Sequence, residues 1–363
     1  MKPTFDKIHL RFRFNGLFFT REELKEVAYS YIKEGEPYEQ VTGDFLFDWV
    51  NDKPYIRVNT SGSTGKPKRI MLQKQHMINS ALASGDFFGI TVGDSALHCL
   101  PSNFIAGKMM LVRAMVLGLE IDTVEPTGDP LSGIEKDYDF CAMTPFQTKN
   151  SLQQLNRIKK LIVGGAPVPK TLINRLQNKK TEVFETYGMT ETVTHIAAKQ
   201  LNNFSDGKSI ENTSFKILPH ISISQDERAC LVIEASEILK APIITNDIVN
   251  LVSDREFKWM GRYDNVINSG GIKLMPEQIE RKLAAIIPNR FFVAGVPDEA
   301  LGEKLILVIE GDAIDEASVL REIKALKSLD TYEVPKAIYH TAVFEETENR
   351  KVIREKTLQQ IGL

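Results

Sequence analysis

The sequence predicts an α/β fold in two domains, a large one over residues 1–262 and a small one over residues 263–363. The first observation behind this prediction is that short apolar strands alternate with helices between residues 55 and 185, as in parallel α/β sheets. The second is a change, from residue 215 onward, to short strands joined by turns. The third is that the tail from residue 263 has its own strand–helix rhythm and suffices for a small separate domain.

The first part of the chain predicts elements of both types. Residues 8–14 alternate apolar and polar side chains, which predicts a strand. Thr20 and Glu23 form a capping-box pattern ahead of apolar residues at helical spacing, which predicts a helix start. Short apolar runs predict a helix at 44–50, strands at 55–58 and 96–100, a helix at 107–117, strands at 139–143 and 160–163, a helix at 169–177 and a strand at 181–185.

The second part predicts a different arrangement. Short strands are predicted at 215–218, 221–224, 230–234, 249–253 and 257–260, followed by a polar segment with glycines at 261–271. The tail then predicts a helix at 276–283, strands at 290–295 and 304–310, a helix at 316–326 and a strand at 337–341. We place the domain boundary at residues 262–265.

The composition is that of a globular protein with a sizeable core. Hydrophobic residues make up 42% and charged residues 26%, which argues against a disordered chain, a collagen-like chain and a small disulfide scaffold. The formal net charge of −3 gives no global reason to expect nucleic acid or an anionic membrane as partner. The longest apolar run, near residues 109–121, is too short to span a bilayer, and the N-terminus lacks the apolar core of a signal peptide.

The cysteines also limit the function classes. Cys99, Cys141 and Cys230 are far apart and form no CxxC pattern, so the sequence indicates neither a disulfide framework nor a structural zinc site. Such a chain fits a reducing compartment, and we expect a cytoplasmic protein without membrane insertion.

The strongest motif follows the strand predicted at 55–58. Its glycines let backbone N–H groups turn toward an anion, while hydroxyls and lysines add donors and charge, which predicts a phosphate cradle. It differs from the P-loop of kinases, because only Ser63 and Thr64 separate its glycines and Pro67 follows its first lysine. The cradle consists of Thr60, Ser61, Gly62, Ser63, Thr64, Gly65, Lys66 and Lys68.

The segment from Thr60 to Lys68 resembles the phosphate-loop signature of the adenylate-forming enzymes, which include acyl-CoA synthetases, luciferases and peptide-synthetase adenylation domains. The resemblance implies a large N-terminal α/β domain with mixed sheets, here N-terminally shortened, and a small mobile C-terminal α+β domain. It also implies ATP and Mg²⁺, with coenzyme A as co-substrate.

Further motifs match this family in the family's order. By resemblance, residues 164–166 (Gly164, Gly165, Ala166) border the adenine, and small residues there permit a flat ring to approach the backbone. In residues 185–192 the resemblance places Tyr187 and Gly188 at the adenine and Thr190 near the α-phosphate. It assigns Glu191 to Mg²⁺, and a carboxylate oxygen suits this hard cation.

The ribose and the hinge are assigned by the same resemblance. Asp247 matches the aspartate that holds the ribose hydroxyls. Asn246 replaces the usual glycine before it, and because Asn tolerates positive φ we expect the turn to be kept. Arg262 would contact ribose or phosphate, and Asp264 would be the pivot between the domains.

The small domain contributes to both steps of the implied reaction. Lys351 falls on the family lysine that bridges the carboxylate and the α-phosphate, although Arg350 stands where the family has glycine and could compete as the cation. The loop that approaches the thiol in the second step corresponds to Gly270, Gly271 and Lys273. The resemblance implies that the small domain rotates between adenylation and thiolation.

The short chain and residues 97–110 resemble the group of o-succinylbenzoate–CoA ligases of menaquinone biosynthesis. Such an acid carries two carboxylates, so its pocket needs an apolar wall and a cation or several donors. Candidates by their position in or near loops are His98, Phe104, Lys108, Thr144, Thr192 and His195.

Other functions stay open at this point. The chain could be a CoA ligase for another aryl or short acyl acid, or an adenylation enzyme that loads a carrier protein. It could also be a degraded nucleotide-binding module, although the set Lys68, Glu191, Asp247, Arg262 and Lys351 argues against this. Expected partners are the acid, ATP and CoA, and a homo-oligomer is open.

Overall fold

The computed structural model describes residues 3–59, 69–204, 209–312, 315–347 and 352–363. Its helices are α1 (Arg21–Glu34), α2 (Pro37–Trp49), α3 (Lys74–Phe88), α4 (Ile105–Leu117), α5 (Pro145–Asn150), α6 (Lys170–Leu176), α7 (Pro276–Leu283), α8 (Glu316–Ala325) and α9 (Arg354–Gln360).

The strands of the first part are β1 (Arg13–Phe14), β2 (Tyr55–Asn59), β3 (Arg69–Gln73), β4 (Ser95–His98), β5 (Glu120–Thr123), β6 (Tyr138–Met143), β7 (Ile158–Val163), β8 (Glu182–Gly188) and β9 (His195–Gln200). Those of the second part are β10 (Phe215–Ile217), β11 (Ser222–Gln225), β12 (Cys230–Glu234), β13 (Ile243–Ser253), β14 (Glu256–Arg262), β15 (Ile267–Ser269), β16 (Ile272–Leu274), β17 (Phe291–Asp298), β18 (Gly302–Glu310) and β19 (Ala337–Thr341).

The largest sheet of the described chain is mixed, as predicted. It has twelve strands in the order β1-β5-β4-β6-β7-β8-β9-β10-β14-β13-β12-β11. The strands from β1 to β8 pair in parallel, and those from β8 to β11 pair antiparallel. The change of pairing falls at β8, so loops beyond the carboxyl ends of β4, β6, β7 and β8 lie at one edge, where open α/β sheets bind ligands.

The parallel strands separate two cores. Phe140 and Ala142 of β6 belong to one hydrophobic cluster, while the alternating Cys141 and Met143 belong to the other. A strand buried on both faces needs apolar side chains in both directions, which explains why β6 is a nearly continuous apolar run. The three cysteines are free thiols, and the sulfurs of Cys99 and Cys141 lie 3.7 Å apart.

A smaller sheet with its own core follows residue 262. Strands β16, β15, β18 and β17 form it in that order, and β19 pairs in parallel with β18. Two hydrophobic clusters made of residues after 266 cover it. Because β14 ends at Arg262 and a 3-10 helix spans Tyr263–Asn265, we propose the domain boundary there, between residues 262 and 263.

Two sequence predictions near the N-terminus are corrected. The strand expected at 8–14 shrinks to Arg13–Phe14, since Asn15 and Gly16 adopt positive φ and turn the chain back, with a bridge from Phe14 to Leu17. The helix expected at 44–50 begins at Pro37, where proline at the first turn and a Glu36–Glu39 capping box provide the start.

Helix α3 was missed altogether, because its apolar positions are mixed with Ala, Ser and Gly. No helix among the described residues combines the length and apolarity that a membrane span requires.

Candidate active site

A cleft of about 2450 Å³ lies beyond the carboxyl ends of the parallel strands. Among the predicted site residues, it is lined by Phe104, Thr144, Gly164, Gly165, Ala166, Tyr187, Gly188, Thr190, Glu191, His195, Asp247 and Arg262. Residues 60–68 and Lys351 lie outside the described residues. His98, Lys108, Thr192, Asp264, Gly270, Gly271 and Lys273 are described but are not among the lining residues.

The carboxylate of Asp247 sits where β13 and β8 approach across the sheet. Tyr187 Oη donates to its Oδ2 at 2.6 Å, and Trp259 Nε1 donates to its Oδ1 at 3.1 Å. An Arg262 nitrogen lies 3.7 Å from the same Oδ1. Two hydrogen bonds and one ion pair fix the orientation of the carboxylate, and it can accept further hydrogen bonds from a pair of hydroxyl groups.

The pKa of Tyr187 is raised far above its usual value by burial and by the nearby Asp247. The phenol therefore stays protonated and remains a donor across the physiological pH range. Its ring packs against Phe257, in a T-shaped contact with centroids 5.2 Å apart. An aromatic ring fixed in this way presents a stable apolar surface to a flat ligand.

The turn after β7 requires glycine at both of its central positions. A Cβ on Gly164 would overlap Thr186 Oγ1, which donates to Val163 O at 3.2 Å. Gly165 has a φ of +86°, a conformation that favours glycine. The glycines at 164 and 165 are therefore required by close packing and by backbone conformation, respectively.

The turn after β8 carries Thr190 and Glu191 into the cleft. Thr192 Oγ1 accepts from Met189 N at 3.0 Å and donates within the same turn, so this buried side chain braces the turn behind the lining. Val193 follows with a φ of +67°, a strained conformation for a β-branched residue of the kind that clusters at functional sites. Glu191 is exposed and provides a hard oxygen donor.

Asp264, the predicted pivot, is bonded by residues of β13 and β14. Arg262 donates to Asp264 Oδ2 at 3.0 Å, and Asn246 Nδ2 lies 3.2 Å from both oxygens of that carboxylate. Asn246 lies within β13 and has no positive φ, so the turn expected there is replaced by extended backbone. Asn246 is thus used for its amide group and not for its tolerance of positive φ.

The loop predicted to approach the thiol is the exposed turn between β15 and β16. Gly270 and Gly271 have φ of +59° and +81°, and Gly270 N donates to Leu301 O at 2.8 Å. Lys273 lies on the exposed face of β16.

The lining of the cleft also contains a buried cation that the sequence analysis missed. Arg113 lines the cleft and is 1% exposed. No carboxylate among the described residues forms a salt bridge with it, and its buried Nε has no hydrogen-bond partner. Burial lowers the pKa of Arg113 to about 10, so the group is still charged at neutral pH.

The neighbours of Arg113 are neutral acceptors. Its NH2 contacts Thr194 Oγ1 and His195 Nδ1, both at 3.4 Å, and its NH1 contacts Met110 Sδ at 3.8 Å. A buried guanidinium without an acidic partner is unfavourable unless a ligand supplies the charge. The one signal in the sequence was a charged residue inside the apolar run of α4.

Two of the predicted acid-pocket residues lie behind the wall. His98 is fully buried and bonds to Ser102 Oγ at 2.9 Å, and burial lowers its pKa to about 4. Lys108 donates to Ser102 O at 2.6 Å and lies 5.0 Å from the centre of the Phe45 ring. Both side chains support the loop that carries Phe104 into the cleft.

Comparisons with known proteins point in one direction. A family model described as AMP-binding enzyme matches residues 47–223. A solved structure from Dyadobacter fermentans, described as an acyl-CoA synthetase (AMP-forming)/AMP-acid ligase II-like protein, is 38% identical with a TM-score of 0.60. The similarity covers 93% of this chain and 98% of that one.

More distant relatives carry a more specific description. A 2-succinylbenzoate–CoA ligase from Enterococcus faecalis is 25% identical over 344 residues, covering 83% of this chain and 68% of the relative. The fold is shared by an o-succinylbenzoate CoA synthetase from Bacillus subtilis, solved with its acyl-adenylate intermediate. That structure is 22% identical, has a TM-score of 0.73, and is matched over 83% of this chain and 68% of its own.

Proposed function

Because the chain belongs to the family of AMP-binding enzymes, we propose that it is an ATP-dependent, AMP-forming ligase that joins o-succinylbenzoate to coenzyme A in menaquinone biosynthesis. The observation that carries the choice of acid is the buried Arg113, which has no acidic partner among the described residues and lies in the same cleft as Asp247 and Tyr187. One end of the cleft then binds the nucleotide, and the other binds an acid with a second negative charge.

The nucleotide end has the donors and surfaces that ATP requires. Asp247 accepts hydrogen bonds from the ribose hydroxyls, while the adenine lies between the Tyr187 ring and residues 164–166. Thr190 donates to the α-phosphate, and Glu191 binds the Mg²⁺ that enters with ATP. Residues 60–68 complete the phosphate site in this proposal.

The acid end explains the preference for a dicarboxylate. The carboxylate that is not activated pairs with the guanidinium of Arg113, which has a free N–H and a full charge. Phe104 and Thr144 line the same cleft and would provide apolar and polar contacts. A monocarboxylic acid would leave Arg113 buried without a counter-ion.

The reaction takes place in two steps. The substrate carboxylate attacks the α-phosphorus of ATP in line, forming a carboxyl–phosphate bond as pyrophosphate leaves with the electron pair of the broken bond. The thiolate of CoA then attacks the acyl carbon, and AMP leaves. Catalysis is chiefly positioning and electrostatic stabilisation, in which Lys351 neutralises charge during the first step.

The small domain takes part in both steps. We propose that it pivots at Asp264, so that Lys351 serves adenylation and the Gly270–Gly271–Lys273 turn serves thiolation. The bonds from Arg262 and Asn246 to Asp264 would have to break or rearrange in this pivot.

The test is pyrophosphate release with ATP and Mg²⁺, measured with and without CoA, over a panel of acids. The panel contains o-succinylbenzoate, benzoate, 4-coumarate, acetate and octanoate. We expect release with o-succinylbenzoate and a CoA thioester as product. Release with a different acid but not with o-succinylbenzoate would keep the chemistry and reject the substrate, and a requirement for a carrier protein in place of CoA would indicate an adenylation enzyme. ATP binding without release on any acid would indicate a nucleotide-binding module.

A further inference from the structure

We propose that His195 is a positioning residue for Arg113. Ser84 holds the His195 ring in one neutral tautomer, and Arg113 therefore keeps its charge and one N–H to bind the carboxylate of the acid that is not activated. The inference rests on the proposed function for its ligand. The geometry behind it is a chain of contacts from α4 through β9 to α3, which no sequence motif marks.

The proton positions in this chain follow from its ends. Arg113 can only donate, so His195 Nδ1, which lies 3.4 Å from its NH2, must be an unprotonated acceptor. A neutral ring then carries its proton on Nε2, which faces Ser84 Oγ at 3.2 Å. Ser84 can accept that proton because its own hydroxyl donates to Ser80 O at 2.9 Å. Both ends therefore require the Nε2–H tautomer.

The surroundings exclude the charged form of the ring. His195 is 6% exposed, with the Phe88 ring in a T-shaped contact 5.8 Å away and Ser84 on the same helix as Phe88. The charged group facing it is Arg113 of α4, and a protonated Nδ1 would point a second N–H at that cation. Burial, and then the Arg113 charge, lower the pKa of His195 well below its usual range.

A neutral acceptor at this position has a consequence for binding. A carboxylate in place of His195 would pair with Arg113 permanently and compete with the substrate. The imidazole instead orients the guanidinium through NH2 and leaves its charge uncompensated. The His195 ring thus fixes the orientation of the Arg113 side chain and leaves its charge available to bind the substrate carboxylate.

The first test measures the tautomer directly and needs no substrate. Long-range nitrogen–proton NMR of histidine-labelled protein at pH 7.5 should show His195 neutral with its proton on Nε2. The Ser84→Ala variant removes the acceptor of that proton, so the Nε2–H form should lose part of its population, while Arg113 still opposes a proton on Nδ1. A wild-type ring that is charged, or protonated on Nδ1, would overturn the proposal.

The second test compares His195→Gln with His195→Glu, two side chains of similar shape that differ in charge. We expect His195→Gln to raise KM for o-succinylbenzoate only a few-fold, because its amide oxygen still accepts from Arg113. His195→Glu should raise KM about 10- to 100-fold, with little change in kcat. KM for benzoate, which has no second carboxylate, should be the same in both variants.

Two controls separate this role from a structural one. Ser80→Ala keeps the carbonyl that Ser84 uses and should leave the tautomer unchanged. Equal losses with o-succinylbenzoate and benzoate in His195→Glu would overturn the positioning role. If the wild-type chain activates no dicarboxylic acid, the proposed function fails, and the NMR tautomer still decides whether His195 orients Arg113.

Discussion

Tyr187 Oη donates a 2.6 Å hydrogen bond to Asp247 Oδ2, joining two residues that are sixty positions apart in the chain. The bond connects the aromatic surface assigned to the adenine with the carboxylate assigned to the ribose. Its two residues belong to β8 and β13, which the sheet order separates by β9, β10 and β14. The two halves of the proposed nucleoside site are therefore positioned by the mixed part of the sheet and by this bond.

We predict that Tyr187→Phe raises KM for ATP about 5- to 10-fold and changes kcat little, because one hydrogen bond to a charged group is lost while the ring is kept. Steady-state kinetics at varied ATP concentration measure both parameters. Tyr138→Phe is the matched control, since Tyr138 makes a similar 3.0 Å bond to Asp122 away from the cleft. An unchanged KM for ATP in Tyr187→Phe would contradict the role of the bond.

The turn proposed to border the adenine gives a prediction on stability. Gly164→Ala should lower the free energy of unfolding by about 1–3 kcal/mol, because the added Cβ overlaps Thr186 Oγ1. Thr186→Ala removes that atom and its hydrogen bond to Val163 O, at a cost of about 1 kcal/mol. In urea unfolding, the double variant should lose less free energy of unfolding than the sum of the losses in the two single variants. Additive losses would mean that the overlap is not the cause.

Arg113→Met separates recognition from stability. The variant should raise KM for o-succinylbenzoate about 10- to 100-fold and leave KM for benzoate unchanged, since a charged hydrogen-bond donor is lost. The melting temperature should not fall, because an apolar side chain of similar length replaces a buried charge without an acidic partner. A lower melting temperature together with equal losses on both acids would show that Arg113 has a structural role.

The buried His98 predicts how stability depends on pH. Its pKa is about 4 in the folded protein and near 6.5 in the unfolded chain, so between these values the unfolded state binds more protons. The stabilisation of the folded state that comes from neutral His98 is therefore complete above pH 6.5 and is lost as the pH falls toward 4. The full effect is about 3 kcal/mol. Urea unfolding at several pH values between 4 and 7.5 gives the free energy of unfolding as a function of pH. This free energy should rise less steeply with pH in His98→Gln than in the wild type, and an equal rise would contradict the prediction.

The sequence predicted the elements that have strong local signals. The Thr20–Glu23 capping box is present at the start of α1, and the apolar runs of β6 and β7 form central strands as expected. The motif residues at 164–166, 187–191 and 247 do line one cleft. These features depend on short segments, in which residue type and spacing determine the conformation.

The features that the sequence did not predict depend on long-range packing. Arg113 lies in an apolar helix, and only the fold shows that it lines the cleft without an acidic partner among the described residues. His98 and Lys108 were candidates by position, yet both bond to Ser102 behind the wall. The direction of a side chain relative to a cleft follows from helix and sheet packing, which residue type alone does not determine.

The most direct test of the account is to trap the first intermediate. The protein is incubated with ATP, Mg²⁺ and o-succinylbenzoate without CoA, and the bound fraction is analysed by mass spectrometry before and after CoA is added. We predict the mass of the o-succinylbenzoyl-adenylate before CoA, and the thioester with AMP after it. Pyrophosphate release without that adenylate, or an adenylate formed equally well from benzoate, would contradict the assignment of the cleft to a dicarboxylic acid.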